Sequence, residues 1–131
     1  MKVKEIMTDQ VVSVERYDPV TKAAGLMKQC DIGSVPVRSE GKFCGILTDR
    51  DIVLRCVASG DSAENMTVGQ IMTSGELACV SPEHSVTEAA RIMAKEQVRR
   101  LPVCKNGEVV GMISLSDIAS TKQMFSETAA A

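Results

Sequence analysis

Two stretches of the chain place a hydroxyl residue three positions ahead of an aspartate: Gly45-Ile46-Leu47-Thr48-Asp49-Arg50-Asp51 and Gly111-Met112-Ile113-Ser114-Leu115-Ser116-Asp117. In both, a glycine opens two apolar residues, and the copies lie 66 residues apart, from 45 to 111. These residue types offer hydrogen bonding and charge, not covalent catalysis. At this spacing the hydroxyl can cap a helix start while the aspartate sits in the first turn, where it complements free amides. The nucleophiles lie elsewhere. Cys30, Cys44, Cys56, Cys79 and Cys104 are odd in number and form no C-x-x-C pair, and His84 is the single histidine. They read as small buried apolar residues kept reduced, not as a disulfide frame or a zinc site. Because no base, nucleophile and orienting residue recur together near the two corners, an enzyme using a cysteine or His84 ranks last among the function classes.

The elements that must position these corners are themselves repeated. Val3-Lys4-Glu5-Ile6-Met7-Thr8 matches Val68-Gly69-Gln70-Ile71-Met72-Thr73 at a spacing of 65, and the second copy then gains one residue. From there the spacing is 66: Val20-Thr21-Lys22-Ala23-Ala24 matches Val86-Thr87-Glu88-Ala89-Ala90, and Val35-Pro36-Val37 matches Leu101-Pro102-Val103. The repeats predict one domain over 1–58, a small polar linker over 59–67, a second domain over 68–124 and a frayed tail over 125–131.

Within each half, Val11 to Val14 and Leu77 to Val80 suit a short buried strand. A helix follows. Asp18-Pro19 predicts its start in the first half, with Asp18 as cap and Pro19 at the first helical position, and Gly25 inside it marks a close contact. Ser85 and Glu88 form a capping-box pattern in the second half. Next come Ser34 to Arg38 and Phe43 to Leu47, joined through Glu40-Gly41. Their partners are Leu101 to Lys105 and Val109 to Ser114, joined through Asn106-Gly107, a strong hairpin signal. Pro36 and Pro102 each remove a ladder donor, so those strands are short or run along an edge there. Second helices over Asp49 to Ala58 and Leu115 to about Met124 complete a mixed α/β (α+β) fold of two β-α-β-β-α repeats.

Composition limits what such a fold does. The chain of 131 residues is 44% apolar and 24% charged, ordinary for a globular protein that buries a core. Its 15 basic and 17 acidic residues sum to −2 with no basic run, so nucleic acid is unsupported as a partner. No signal-peptide pattern opens it, and no apolar stretch approaches the roughly 20 residues of a membrane span, so no membrane partner and a cytoplasmic location are expected.

The lead Ile-Met-Thr, the Val35-Pro36-Val37 and Leu101-Pro102-Val103 triplets and above all the Gly-x-x-[Thr/Ser]-x-x-Asp corners resemble CBS domains. From about Val3 to about Met124 the chain looks like a stand-alone tandem pair of them, a Bateman module, with the two repeats related by pseudo-two-fold symmetry. The resemblance implies a regulatory sensor without catalysis or catalytic cofactor. Its ligand would be an adenosyl nucleotide (AMP, ADP or ATP, with NAD and S-adenosylmethionine as further members of the class) held in clefts between the domains. Implied ligand contacts are Thr8, Val12, Ser34, Pro36, Ile46, Thr48, Arg50, Asp51, Thr73, Val80, Arg99, Arg100, Pro102, Ser114 and Asp117. The aspartates take ribose hydroxyls, which fits a carboxylate's capacity to accept from two of them, and the helix starts suit phosphate.

The family pattern brings residues just before one half's Pro triplet to the phosphates of a ligand at the other half's corner. These are Arg99-Arg100 in the second half but Gly33-Ser34 in the first, so the clefts are expected to be unequal. The cleft of Thr48, Arg50 and Asp51 with Arg99 and Arg100 would take the phosphorylated ligand. The other, with Leu115 and Ser116 in place of Asp49 and Arg50, would take a less charged compound or stay empty. Tyr17, Phe43 and Phe125 are the only aromatic residues and lie away from both corners, so stacking of a base on a ring is not expected. Taken alone, each corner reads as a helix cap; cap and ligand contact can coexist. The competing class is a ligand-free, homo-oligomeric scaffold whose Met27, Met93 and Met124 serve packing. A homodimer and an unidentified regulated protein are the expected partners.

Overall fold

The computed structural model describes residues 1–75 and 77–121. Met124, the end of the last expected helix and the tail over 125–131 lie outside them. The chain divides into two compact units that do not follow the repeat boundaries: Val12–Leu77 forms one, and Met1–Val11 with Ala78–Ala131 forms the other.

The unit over Val12–Leu77 is built on a three-stranded sheet in the order β1-β2-β3, with β1 Val14–Glu15, β2 Ser34–Ser39 and β3 Lys42–Thr48. β1 runs parallel to β2, pairing Val14 with Val37, and β2 runs antiparallel to β3. The hairpin turn puts Glu40 at φ 51° and Gly41 at φ 79°, the double positive φ of a turn whose twist matches the strands. Pro36 stands on the middle strand, but the β1 ladder starts only at Val37, so β2 is an edge at Pro36 itself and the missing donor is tolerated.

Helix α1, Val20–Cys30, buries Val20, Ala23 and Met27 against this sheet. Its start differs from the expectation. Pro19 holds the cap position, and the Asp18 carboxylate instead accepts from Glu15 N at 2.9 Å. The free first amides of α1 are met by main chain, Val20 N donating to Met66 O at 2.9 Å and Thr21 N to Ala63 O at 3.2 Å. Gly25 marks no close contact, because a Cβ there would meet nothing within 4 Å. The helix from Asp49 to Ala58 forms in two parts. Helix α2, Asp49–Ile52, gives way to a wide turn over Val53–Val57, closed by Ala58 N donating to Val53 O at 2.8 Å. Helix α3, Val68–Ile71, drives Val68 and Ile71 into the core around Val35, Val37 and Leu47. So the lead of the second sequence repeat completes the first repeat's core.

The other unit mirrors this. Helix α4 is Val86–Glu96, and strands β4, Arg100–Lys105, and β5, Glu108–Ser114, pair antiparallel through Asn106 at φ 55° and Gly107 at φ 79°. Ser85 caps α4, its Oγ accepting from Glu88 N at 3.0 Å, while the Glu88 carboxylate pairs with Arg91 at 3.0 Å. The expected strand at 77–80 is a single parallel bridge of Val80 with Val103. Val3, from the lead of the first repeat, is fully buried among Val86, Ala89, Met93, Leu101 and Ile113. A helix runs over 115–121. Each large apolar side chain removed from water here contributes on the order of 2 kcal/mol. Both units thus depend on a lead segment supplied from far away in the chain.

Of the cysteines expected to be buried, only Cys56 is; Cys30 and Cys79 are exposed, and Cys44 and Cys104 are half-buried.

Candidate functional site

The two corners close in the same way. At the first, Thr48 is the N-cap of α2: its Oγ1 accepts from Asp51 N at 3.0 Å while Asp51 Oδ2 accepts from Thr48 N at 3.1 Å. At the second, Ser114 Oγ accepts from Asp117 N at 3.1 Å and Asp117 Oδ2 accepts from Ser114 N at 3.0 Å. Both are capping boxes with aspartate in the reciprocal role. Each cap uses one carboxylate oxygen of its aspartate.

What surrounds the caps is the lead segment. Thr73 is laid antiparallel against Ile46 of β3, its N donating to Ile46 O at 2.8 Å and its O accepting from Ile46 N at 2.9 Å. Thr8 makes the same bridge to Met112 of β5, at 2.8 and 2.9 Å. This explains both recurring motifs together. A Cβ at Gly45 would lie 2.6 Å from Met72 Sδ and 2.9 Å from Thr73 O, and one at Gly111 would lie 2.6 Å from Met7 Sδ and 3.0 Å from Thr8 O. The glycine of each corner is required because the Met-Thr of a lead crosses directly over it.

The corners differ in charge. Asp51 is 8% exposed, the one charged residue buried among those described. Its Oδ2 also lies 3.4 Å from Thr73 Oγ1, and its Oδ1 lies 3.7 Å from Arg55 Nη1. The same Nη1 donates to Ile71 O at 3.1 Å and Met72 O at 3.3 Å, and lies 3.4 Å from Thr73 Oγ1. A guanidinium there caps the carbonyl end of α3 and neutralises a buried carboxylate. Asp117 is half-buried, and the residue four positions on is Thr121, whose Oγ1 donates to Asp117 O at 3.0 Å.

The structure gathers Val12, Ser34, Pro36, Ile46, Thr48, Arg50, Asp51 and Thr73 in one unit, and Thr8, Val80, Arg99, Arg100, Pro102, Ser114 and Asp117 in the other. In the strand register Ser34 faces Thr48 and Pro36 faces Ile46, as Arg100 faces Ser114 and Pro102 faces Met112. Arg50 is exposed beside its corner. Main chain ties the residues before each Pro triplet to the corner of their own unit: Asp49 N donates to Gly33 O at 2.9 Å and Leu115 N to Arg99 O at 2.8 Å. Pro36, Val80 and Pro102 are buried, and Val12 is half-buried against the first core. Arg55 is the site residue that reading the sequence missed. The signal was present as an i, i+4 acid-base pair from Asp51, absent at Asp117 and Thr121.

Among the described residues no group of three His, Cys, Asp or Glu stands together to hold a metal ion, and no helix is long and apolar enough to cross a membrane.

Two units of this α+β fold, each with a capped corner under a lead segment, make up a repeated pair. Residues 3–57 and 68–122 each match the CBS domain, and the chain belongs to the CBS-domain family. It is 40% identical over 127 residues to the CBS domain-containing protein YhcV of Bacillus subtilis, covering 97% of this chain and 89% of that one. Among solved structures, Hypoxic Response Protein I with two coordinated zinc ions superposes with a TM-score of 0.83 at 32% identity, covering 92% of this chain and 98% of that one. The CBS domain pair of protein MJ0100, in complex with 5′-methylthioadenosine and S-adenosyl-L-methionine, superposes with a TM-score of 0.81 at 25% identity, covering 94% and 96%. These relatives support a regulatory, ligand-binding role.

Proposed function

We propose that this CBS pair is a non-catalytic sensor of adenosine-containing nucleotides of the AMP, ADP and ATP class, and that it reports occupancy to a partner protein in the cytoplasm. The observation that carries this reading is Asp51, a carboxylate held almost out of solvent at a helix start by Thr48, Thr73 and Arg55. Holding a buried carboxylate in place by three groups is costly for a cap alone, since an exposed one serves as well. A fixed acceptor for vicinal hydroxyls is the use that fits it. The reading assigns the ribose to Asp51, the sugar or its phosphate to Thr48, and the phosphates to Arg50, Arg99 and Arg100. Ser114 and Asp117 take a less charged adenosyl compound.

Calorimetric titration with ATP, ADP, AMP, NAD and S-adenosylmethionine tests this. Binding of a phosphorylated adenosine is expected, with Asp51→Ala and Arg99→Ala each weakening it much more than Asp117→Ala. Equal losses in all three variants would overturn the assignment of residues, and no heat with any compound would overturn the sensor reading.

A second reading is favoured by Val53, Leu54 and Val57, which are 56, 49 and 63% exposed on the wide turn after α2. Such a patch suits self-association, so the pair would act as a homodimer or an interaction scaffold. Sedimentation at several concentrations, with Leu54→Glu as the comparison, tests that use of the face.

A further inference from the structure

Arg55 holds the first corner together in a way the second corner does not share. Its Nη1 reaches three acceptors at the carbonyl end of α3, Ile71 O, Met72 O and Thr73 Oγ1, at 3.1, 3.3 and 3.4 Å. It also stands 3.7 Å from Asp51 Oδ1. Carbonyls at a helix end have no partner within the helix, and a cation there is favourable on both hydrogen-bonding and dipole grounds. Arg55 sits within the wide turn Val53–Val57, one turn beyond Asp51. The guanidinium is anchored by the lead segment, so it is held beside the carboxylate even though half of its surface is open to solvent.

The consequence is a difference in how the two carboxylates are balanced. Arg55 stands 3.7 Å from Asp51, whereas Asp117 has Thr121 at the matching position. An uncompensated carboxylate repels a phosphate brought close to it; a compensated one accepts ribose hydroxyls without that penalty. We propose that Arg55 is a specificity-determining residue of the Asp51 corner: by balancing the Asp51 carboxylate it lets this corner take an anionic, 5′-phosphorylated adenosine. This inference rests on the nucleotide-binding reading above.

The test compares AMP with adenosine by calorimetry on the full chain, for the parent, Arg55→Gln and Arg55→Lys, with circular dichroism melts alongside. Gln loses the charge together with the reach to Ile71 O and Met72 O, and Lys keeps the charge. Arg55→Gln is expected to weaken AMP roughly fivefold more than adenosine, the effect of one charge at about 8 Å in an effective dielectric of about 40. Arg55→Lys is expected to keep the parent's AMP-to-adenosine ratio within about twofold, because the compensating charge remains. Equal weakening of both ligands by Arg55→Gln would show a purely structural role and overturn the inference while leaving the nucleotide reading intact. A parent that binds neither AMP nor adenosine would overturn both. If Arg55→Gln melts out, the Lys variant decides: an AMP-to-adenosine ratio kept within about twofold of the parent's supports the inference, and a ratio that falls about fivefold overturns it.

Discussion

The contact most open to attack is the crossing of a lead over its corner glycine. Gly45→Ala places a methyl 2.6 Å from Met72 Sδ and 2.9 Å from Thr73 O. The thioether swings aside at little cost, being unbranched and adaptable. The carbonyl has no such freedom, since it accepts from Ile46 N at 2.9 Å in a bridge whose other half is Thr73 N to Ile46 O at 2.8 Å. Backing Thr73 away by the several tenths of an ångström a methyl needs stretches both bonds and lifts Ile71 from a site where it is 2% exposed. Overpacking of this kind costs about 2 kcal/mol, within the usual range of roughly 1–3. For a chain of this size that lowers the melting midpoint by roughly 6–10 °C. Gly25→Ala is the internal control. It adds the same methyl in α1 where nothing lies within 4 Å, and is expected to raise stability by about 0.5–1 kcal/mol through helix propensity. Thermal melts followed by circular dichroism read both signs. A Gly45→Ala midpoint within a degree of the parent's would refute the idea that the lead is locked against β3. Gly111→Ala, facing Met7 Sδ at 2.6 Å and Thr8 O at 3.0 Å, is expected to behave as Gly45→Ala does.

Two further outcomes follow from titratable groups. Hydrogen bonds from Lys2 at 2.6 Å and Lys4 at 2.9 Å lower the Glu83 carboxyl from its ordinary 4.5 to about 2. Its contribution to stability is therefore fully present above about pH 4.5 and lost as pH falls toward 2. Urea midpoints should show parent and Glu83→Gln converging over that window, with a small, salt-sensitive gap above it because all three side chains are exposed; a gap unchanged at pH 2 would contradict the pairing. Burial, with Cys79 close by, pushes the Cys104 thiol up to about 12. Iodoacetamide at pH 8 should therefore modify exposed Cys30 and Cys79 well before Cys104 and buried Cys56, as read by mass spectrometry, and early labelling of Cys104 would be the contrary result.

Much of the fold and the site was legible in the residues because it is local. The Asn106-Gly107 and Glu40-Gly41 hairpins follow from the need for positive φ, and Ser85, Thr48 and Ser114 cap helices because a side-chain oxygen lies three residues from an amide it can accept. The doubled corners were visible as a spacing, and with them the family. Places where local signals competed were read less well: Asp18 turned back to Glu15 because the main chain of Ala63 and Met66 had already taken the first amides of α1.

The sequence by itself determined the repeated elements, the hairpins and the two helix-start carboxylates, since each depends on neighbours a few residues away. Only the tertiary structure decided that Val68 to Thr73 completes the first repeat's core and Val3 to Thr8 the second's, that the corner glycines exist to let those leads pass, and that Arg55 joins lead to carboxylate. Those contacts join residues 16 or more apart and are selected by burial of Val3, Val68 and Ile71 against shapes formed elsewhere, a choice that no short window of residues encodes.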